Sequence, residues 1–291
     1  MTAVEALLTR IIDYAGLFPP ASLDMESAVR TYQGALRSDE SWMLGNFVLP
    51  AKRLAEFART FNEVCCDERE QPWMLSVVCT EEDVRDDARM IDDFQEGAAF
   101  LAAFEAKAIH DTAAWNTLAV LARGPMRYIE FPPELAGEVL PVLVEHGARA
   151  KIRTGGVTAP AIPPPETIIS FLRTCEEKRV AFKATAGLHR ALRGVRRLTY
   201  EMGSPEAKMH GFLNVFFAAG LAQNGAVDEA LMKALLEENP VAFQFEDGLI
   251  AWRDERLTLE QIVHLRSTLA ISFGSCSFSE PVDDLKEMGW L

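Results

Sequence analysis

Six strand-like runs, each followed by a helical stretch, succeed one another between residues 45 and 225. GNFVLP (45–50) precedes AKRLAEFARTFNEV, WMLSVVCT (73–80) precedes EEDVRDDARMIDDF, and AAFLAAFEA (98–106) precedes DTAAWNTLAVLA. MRYIEFP (126–132), ARAKIRTGG (148–156) and VAFKATAG (180–187) lead in the same way to PELAGEVLPVLVEHG, ETIISFLRTCEEK and HGFLNVFFAAGLAQNG. The runs are mostly apolar rather than alternating, as in parallel strands covered by helices on both faces. Such repetition restricts the chain to a parallel sheet, open or closed.

Closure requires two more strands. RIIDYAGLF (10–18) can serve at the front, before a helix beginning near Asp24, and LAISFGS (269–275) at the back, before EPVDDLKEMG. The expected fold is therefore an α/β (β/α)8 TIM-type barrel, a single domain over 1–291. An open doubly wound sheet is the alternative, but no G-x-G-x-x-G follows the first strand. One stretch interrupts the alternation: after VDEALMKALLEEN and Pro240, VAFQFEDGLIAW carries Asp247-Gly248 between two β-prone segments, a hairpin signal. Residues 226–257 thus read as a helix-hairpin insertion before the last strand, serving either as a lid over one end or as surface elaboration.

The net charge of −14 argues against nucleic acid and against an anionic membrane surface, since the field of the whole molecule repels both. No signal-peptide pattern opens the chain, and its longest apolar run, FLNVFFAAGLA (212–222), is too short to span a bilayer. A cytoplasmic protein is expected, with room left for a homo-oligomer. Cys65, Cys66, Cys79, Cys175 and Cys276 are odd in number and lack C-x-x-C spacing, so reduced thiols are expected rather than a disulfide framework or zinc site.

In parallel barrels the chemistry sits at the C-terminal ends of the strands. Those ends carry Asp13 from the first strand, Glu105 and Lys107 from the fourth, and Glu130 from the fifth. Lys151 and Arg153 come from the sixth, Lys183 and His189 from the seventh, and Ser275 with Cys276 from the eighth. Burying an isolated ammonium is costly, so strand-end lysines need a carboxylate partner, an anionic substrate or a depressed pKa. Two readings follow: an ion-pair network filling the barrel mouth, or a lysine whose neighbouring cations lower its pKa until it attacks a carbonyl.

Loops refine the picture. In RTGGVTAPAIPPP (153–165), Arg153, Thr154, Gly155 and Gly156 suit a phosphate or carboxylate, because glycines let backbone amides approach an anion. Between His189 and His210 runs a long basic loop with Arg190, Arg193, Arg196 and Arg197, an anion-attracting rim or a solvated face. DYAGLFPPASLDM (13–25) suits a substrate wall or a rigid turn. SFGSCSFSEPVDD (272–284) opens a helix near Ser279 whose preceding turn, with Ser275, can present amides to an anion. Cys276 is the weaker nucleophile, since no specific base for it is identifiable.

Phe182-Lys183-Ala184-Thr185-Ala186-Gly187 resembles the Phe-Lys-Pro-Ala-Gly-Gly strand end of deoxyribose-phosphate aldolases, class I aldolases with a (β/α)8 barrel, and KIRTGG resembles their Lys-Thr-Ser-Thr-Gly motif. The resemblance implies that Lys151 forms the Schiff base and that Lys183 is the second lysine, lowering the pKa of the first. Ile152 and Arg153 depart from the motif, and Arg153 shares a strand face with Lys151. The set DYAGLFPP, KIRTGG, KATAGLH, HGFLNV and GSCSF also resembles a group of uncharacterised bacterial proteins, which implies no activity.

The expected function is a barrel enzyme of aldolase or lyase type acting on a small anionic carbonyl compound. Lys151 and Lys183 serve as nucleophile and activator, in either order, Glu130 or Glu105 as general base, and His189 belongs to the catalytic set. Arg153, Thr154, Gly155, Gly156, Asp13 and Ser275 hold the substrate, and no cofactor is called for. Alternatives are a metal-dependent sugar isomerase or hydrolase, with Glu105, Glu130, His189 and Asp13 as ligands, and a non-catalytic small-molecule-binding barrel.

Overall fold

The computed structural model describes residues 1–65, 72–80, 84–94, 99–121, 125–225, 228–238 and 242–291. Helix α1 (Ala3–Leu8) opens the chain; it is only six residues long, fixed by a capping box in which Thr2 and Glu5 satisfy each other's backbone amides. Arg10 then adopts a positive φ of 51°, so β1 begins later than expected, at Ile12–Tyr14. Helix α2 (Met25–Leu36) starts at Asp24, whose side chain accepts from Ser27 N at 2.7 Å.

Regular alternation follows: β2 (Leu44–Pro50), α3 (Leu54–Val64), β3 (Trp73–Val78), α4 (Val84–Asp92), β4 (Ala99–Lys107), α5 (Asp111–Val120), β5 (Met126–Glu130), α6 (Ala136–His146), β6 (Arg149–Arg153), α7 (Pro165–Lys178) and β7 (Phe182–Thr185). After β7 comes an antiparallel ribbon, β8 (Gly194–Arg197) and β9 (Glu206–Met209), followed by α8 (Phe212–Gln223) and α9 (Glu229–Leu236). Strands β10 (Phe243–Glu246), β11 (Leu249–Trp252) and β12 (Glu255–Thr258) form a small antiparallel sheet; α10 (Leu259–Thr268), β13 (Ala270–Ser275) and α11 (Ser279–Glu287) complete the chain.

Eight strands close in the order β1-β13-β7-β6-β5-β4-β3-β2, all neighbours parallel. The chain is thus a TIM-type barrel, and each run read from the sequence supplies one of its strands. Between the strands and their helices lies one buried apolar cluster. Tyr32, Phe47, Phe57, Phe61 and Trp73 pack ring against ring beneath α2 and α3, the Tyr32 and Trp73 centroids 4.4 Å apart. Burying each such ring contributes about 2–3 kcal/mol.

The N-terminal end is plugged by Arg266 of α10. Its guanidinium donates to the carbonyls of Leu7, Thr9, Ala270 and Ile271 and lies over the Phe216 ring, so four backbone acceptors and one π-face stand in for water. The β10–β12 sheet packs against α1 at this end, with Ala3 N donating to Asp247 O at 2.8 Å. Asp247-Gly248 forms the turn between β10 and β11, as its dipeptide signals. Ala226, Val227, the last residue of the expected helix and Pro240 lie outside the described residues, as do the first residues of the expected 81–94 helix and Cys66. Among the described residues no disulfide forms, and Cys65, Cys79, Cys175 and Cys276 remain thiols.

Candidate active site

Parallel register brings the strand-end charges together. Lys151 is the cross-strand partner of Lys183 on one side and of Glu130 on the other, so two cations and an anion sit side by side on β5, β6 and β7. Strand alternation points these side chains into the barrel. Lys183 Nζ lies 2.6 Å from Asp13 Oδ2 and 2.6 Å from Glu105 Oε1. Glu105 turns its other oxygen to Lys151 Nζ at 2.8 Å, and Lys151 also lies 3.0 Å from Glu130 Oε2. Arg153 Nε closes the series on Glu130 Oε1 at 2.9 Å. The sequence Asp13, Lys183, Glu105, Lys151, Glu130, Arg153 alternates in sign and sums to zero.

Neutral donors hold the ends of this series. Ser272 Oγ and Asn46 N donate to Asp13, each at 2.8 Å, and Ser76 Oγ donates to Glu105 Oε1 at 2.6 Å. The Tyr128 ring lies 5.4 Å beneath the Lys183 ammonium. Ser76, Ser272, Asn46 and Tyr128 were not singled out from the sequence. For Ser76, Ser272 and Tyr128 the signal is a polar residue placed among apolar ones within a strand; Asn46 acts through its backbone amide, which any residue there would supply.

The electrostatics correct one expectation. Burial and Lys183 both push the Lys151 ammonium down, as anticipated for a nucleophile, but Glu105 and Glu130 outweigh them and hold it above its ordinary value. Burial likewise pushes Lys183 down, and Asp13 and Glu105 more than reverse it. Burial raises the carboxyls of Glu105 and Glu130, yet the lysines around them keep both below the usual carboxylate range. At rest both lysines are ammonium ions, because each has two carboxylates rather than a neighbouring cation alone. The two differ in access: Lys183 is 1% exposed and Lys151 6%, while Arg153 and Lys107 reach solvent beside Glu130.

The expected substrate-binding residues do not form one group. Asp13 is engaged by Lys183 inside the barrel. Thr154 is fully buried, its hydroxyl donating to Ala186 O at 2.6 Å, which ties the end of β6 to that of β7. Gly155 packs on Gly187: a Cβ on either would lie 2.8 Å from the other's Cα, so glycine here serves close backbone approach rather than an anion. Gly187 also holds a φ of 81°. Gly156 of this loop lines a cavity.

That space, a cavity of about 300 Å³, lies beyond the ends of β6 and β7 under the β8–β9 ribbon. His189 and His210 line it. His189 Nδ1 lies 3.2 Å from Ser275 Oγ, 3.7 Å from Cys276 Sγ and 3.6 Å from Glu280 Oε2; burial, with Arg190, pushes its pKa to about 4. His189 therefore belongs to the cavity wall, with Ser275 behind it as a side-chain partner, and the series of ion pairs is formed without them. Cys276 has partners that the sequence did not reveal, His189 and the Tyr200 hydroxyl at 3.4 Å, but burial pushes the thiol up. His210 donates through Nε2 to Pro163 O at 2.7 Å. The basic loop expected at 190–209 is in fact this ribbon; Val195-Arg196-Arg197-Leu198 and the turn residues Gly203-Ser204-Pro205 are its signal in hindsight. None of the described residues of 226–257 lines the cavity.

The metal-ligand set is not brought together either. Among the described residues no three metal-ligating side chains converge, and Lys183 and Lys151 occupy the positions between the carboxylates where a cation would sit.

Fold and site together define a TIM-type barrel with a buried, charge-balanced lysine–carboxylate series at its C-terminal mouth. No family model matches the chain, and no curated protein matches it. Among solved structures it is similar to deoxyribose phosphate aldolase from Aeropyrum pernix, described as a tetramer, with 14% identity over 65% of this chain and 80% of that one and a TM-score of 0.44. It is also similar to lysine/ornithine decarboxylase from Vibrio vulnificus in complex with cadaverine, with 12% identity over 94% of this chain and 58% of that one and a TM-score of 0.37. Likenesses this low carry no argument about activity; the barrel assignment rests on the strand order itself. No described helix is long and apolar enough to cross a membrane.

Proposed function

We propose that the chain is an enzyme of aldolase or lyase type, acting on a small carboxylated carbonyl compound through an imine on Lys151. The observation that carries this reading is the adjacent pair Lys151 and Lys183 sharing the two oxygens of Glu105, with Lys151 the more accessible of the two. Lys183 is locked between Asp13 and Glu105 and acts as a fixed charge.

Imine formation requires Lys151 to lose its resting proton; Glu130, with Oε2 3.0 Å from Nζ, is an acceptor within reach, and the transfer is an uphill step because the pair holds the proton on nitrogen. The free amine adds to the carbonyl carbon and one of its protons passes to the oxygen, giving a carbinolamine. Glu130 returns the proton to the departing hydroxyl, which leaves as water, and the product is an iminium ion on Lys151. That ion carries the same single positive charge as the ammonium it replaces, so Glu105 and Glu130 stabilise it as they stabilised the lysine. The iminium then accepts the electron pair of the Cα–Cβ bond to become an enamine while the β-hydroxyl gives its proton to Glu130 and that carbon leaves as an aldehyde. The same proton returned to the enamine carbon and hydrolysis by water release the product and restore the lysine. Arg153 uses Nε on Glu130 and keeps 42% of its side chain exposed, leaving outer guanidinium nitrogens for the substrate carboxylate.

Borohydride added with pyruvate and a panel of aldehydes should leave a mass adduct on Lys151 that is absent from Lys151→Met. An unmodified wild-type protein across the panel removes the imine. Binding of these compounds without adduct or turnover would instead favour a barrel that binds small molecules without converting them.

A further inference from the structure

The cavity under the ribbon is built unlike a phosphate site. Leu192, Leu198 and Met209, all buried, line it together with Pro19 and Pro20. The polar groups on it offer no positive charge at depth: burial keeps the imidazoles of His189 and His210 below their ordinary pKa, and Glu280, which also lines it, is an acid. Of the arginines that line it, Arg190 is paired with Asp284 at 3.3 Å, and Arg196 and Arg197 lie exposed on β8, so their charge stays at the solvent side. A phosphate placed within would lose its hydration without a buried cation in exchange. Hydrocarbon placed there gains from the surface it removes from water, about 25 cal/mol per Å².

We propose that this cavity receives an aryl or branched-alkyl end of the substrate, making the compound acted on an oxo acid with an apolar side chain rather than a phosphorylated sugar. This deepens, and rests on, the reading of Lys151 and Arg153 above: the carboxylate meets Arg153, the carbonyl meets Lys151, and the apolar end enters the cavity, which Gly156 and Gly187 line just beyond the ends of β6 and β7. A volume of about 300 Å³ is at the small end of ligand pockets and suits one phenyl or branched-alkyl group.

Isothermal titration of the wild-type chain with 4-phenylbutanoate, propanoate and glycerol 3-phosphate tests it. The phenyl acid should bind at least tenfold more tightly than either of the others. Leu198→Trp, which fills the cavity from the ribbon, should bind 4-phenylbutanoate no more tightly than propanoate; if Leu198→Trp does not fold by circular dichroism, Met209→Trp takes its place. Glycerol 3-phosphate binding as tightly as 4-phenylbutanoate, or an unchanged preference in the folded tryptophan variant, overturns the proposal. These titrations read the cavity whether or not pyruvate forms an imine, so failure at the cavity and failure at Lys151 are separate results.

Discussion

Replacing Lys183 with Met removes the cation between Asp13 and Glu105 and fills a similar volume. Lys183 is 1% exposed and holds two carboxylates at 2.6 Å each. The partners it leaves behind are unequal. Glu105 keeps Lys151 at 2.8 Å and the Ser76 hydroxyl at 2.6 Å, whereas Asp13 keeps only the neutral donors Ser272 and Asn46 N. Asp13 is therefore the charge left uncompensated, and breaking a buried pair in this way costs about 3–5 kcal/mol. For a chain of this size that lowers Tm by roughly 6–10 °C. Adding Asp13→Asn removes the orphaned charge, so the double variant should recover part of the loss, with a coupling of about 2 kcal/mol between the positions. Urea unfolding followed by circular dichroism measures all four proteins of the cycle. A Lys183→Met chain within about 1 kcal/mol of wild type, or single effects that simply add, would refute the claim that the barrel interior depends on this charge alternation.

Three further outcomes are expected. His189 is buried neutral with its pKa pushed to about 4, so the unfolded chain takes up its proton first and stability falls as pH drops from about 6.5 to 4, by about 3 kcal/mol; His189→Asn should flatten urea midpoints over that range. Gly155→Ala puts a Cβ 2.8 Å from Gly187 Cα, which forces the β6 and β7 ends apart and should cost about 1–3 kcal/mol in the same assay. Arg266→Lys replaces a planar fork by a three-donor ammonium and leaves at least one of the four carbonyls of Leu7, Thr9, Ala270 and Ile271 without a charged partner; a loss of about 2–4 kcal/mol is expected, with α1 exchanging amide hydrogens faster than α7.

Strand position and direction were written in local pattern. An apolar run followed by a helical stretch, repeated with glycines and prolines between, leaves few ways to bury both faces, so the eight barrel strands and the strand-end residues Asp13, Glu105, Glu130, Lys151 and Lys183 follow from period and order alone. The β8–β9 ribbon escaped because its exposed arginines and short strands lack an apolar run; Val195, Arg196 and Arg197 are all exposed. The anion loop was misplaced for a similar reason. A Gly-Gly pair reads as an invitation to a ligand, but what Gly155 meets is Gly187 from the next strand end.

What the sequence could not carry is the balance of charge. Asp13 and Lys183 are 170 positions apart, and Lys183 and Glu105 are 78 apart; their distances come from barrel closure and register, not from spacing along the chain. Local pattern put lysines at strand ends and left two outcomes open, a lysine losing its proton to neighbouring cations or one held by carboxylates. Only the closed barrel decided between them: an electrostatic field depends on which groups lie within a few ångströms, and here each ammonium meets two carboxylates before it meets another cation.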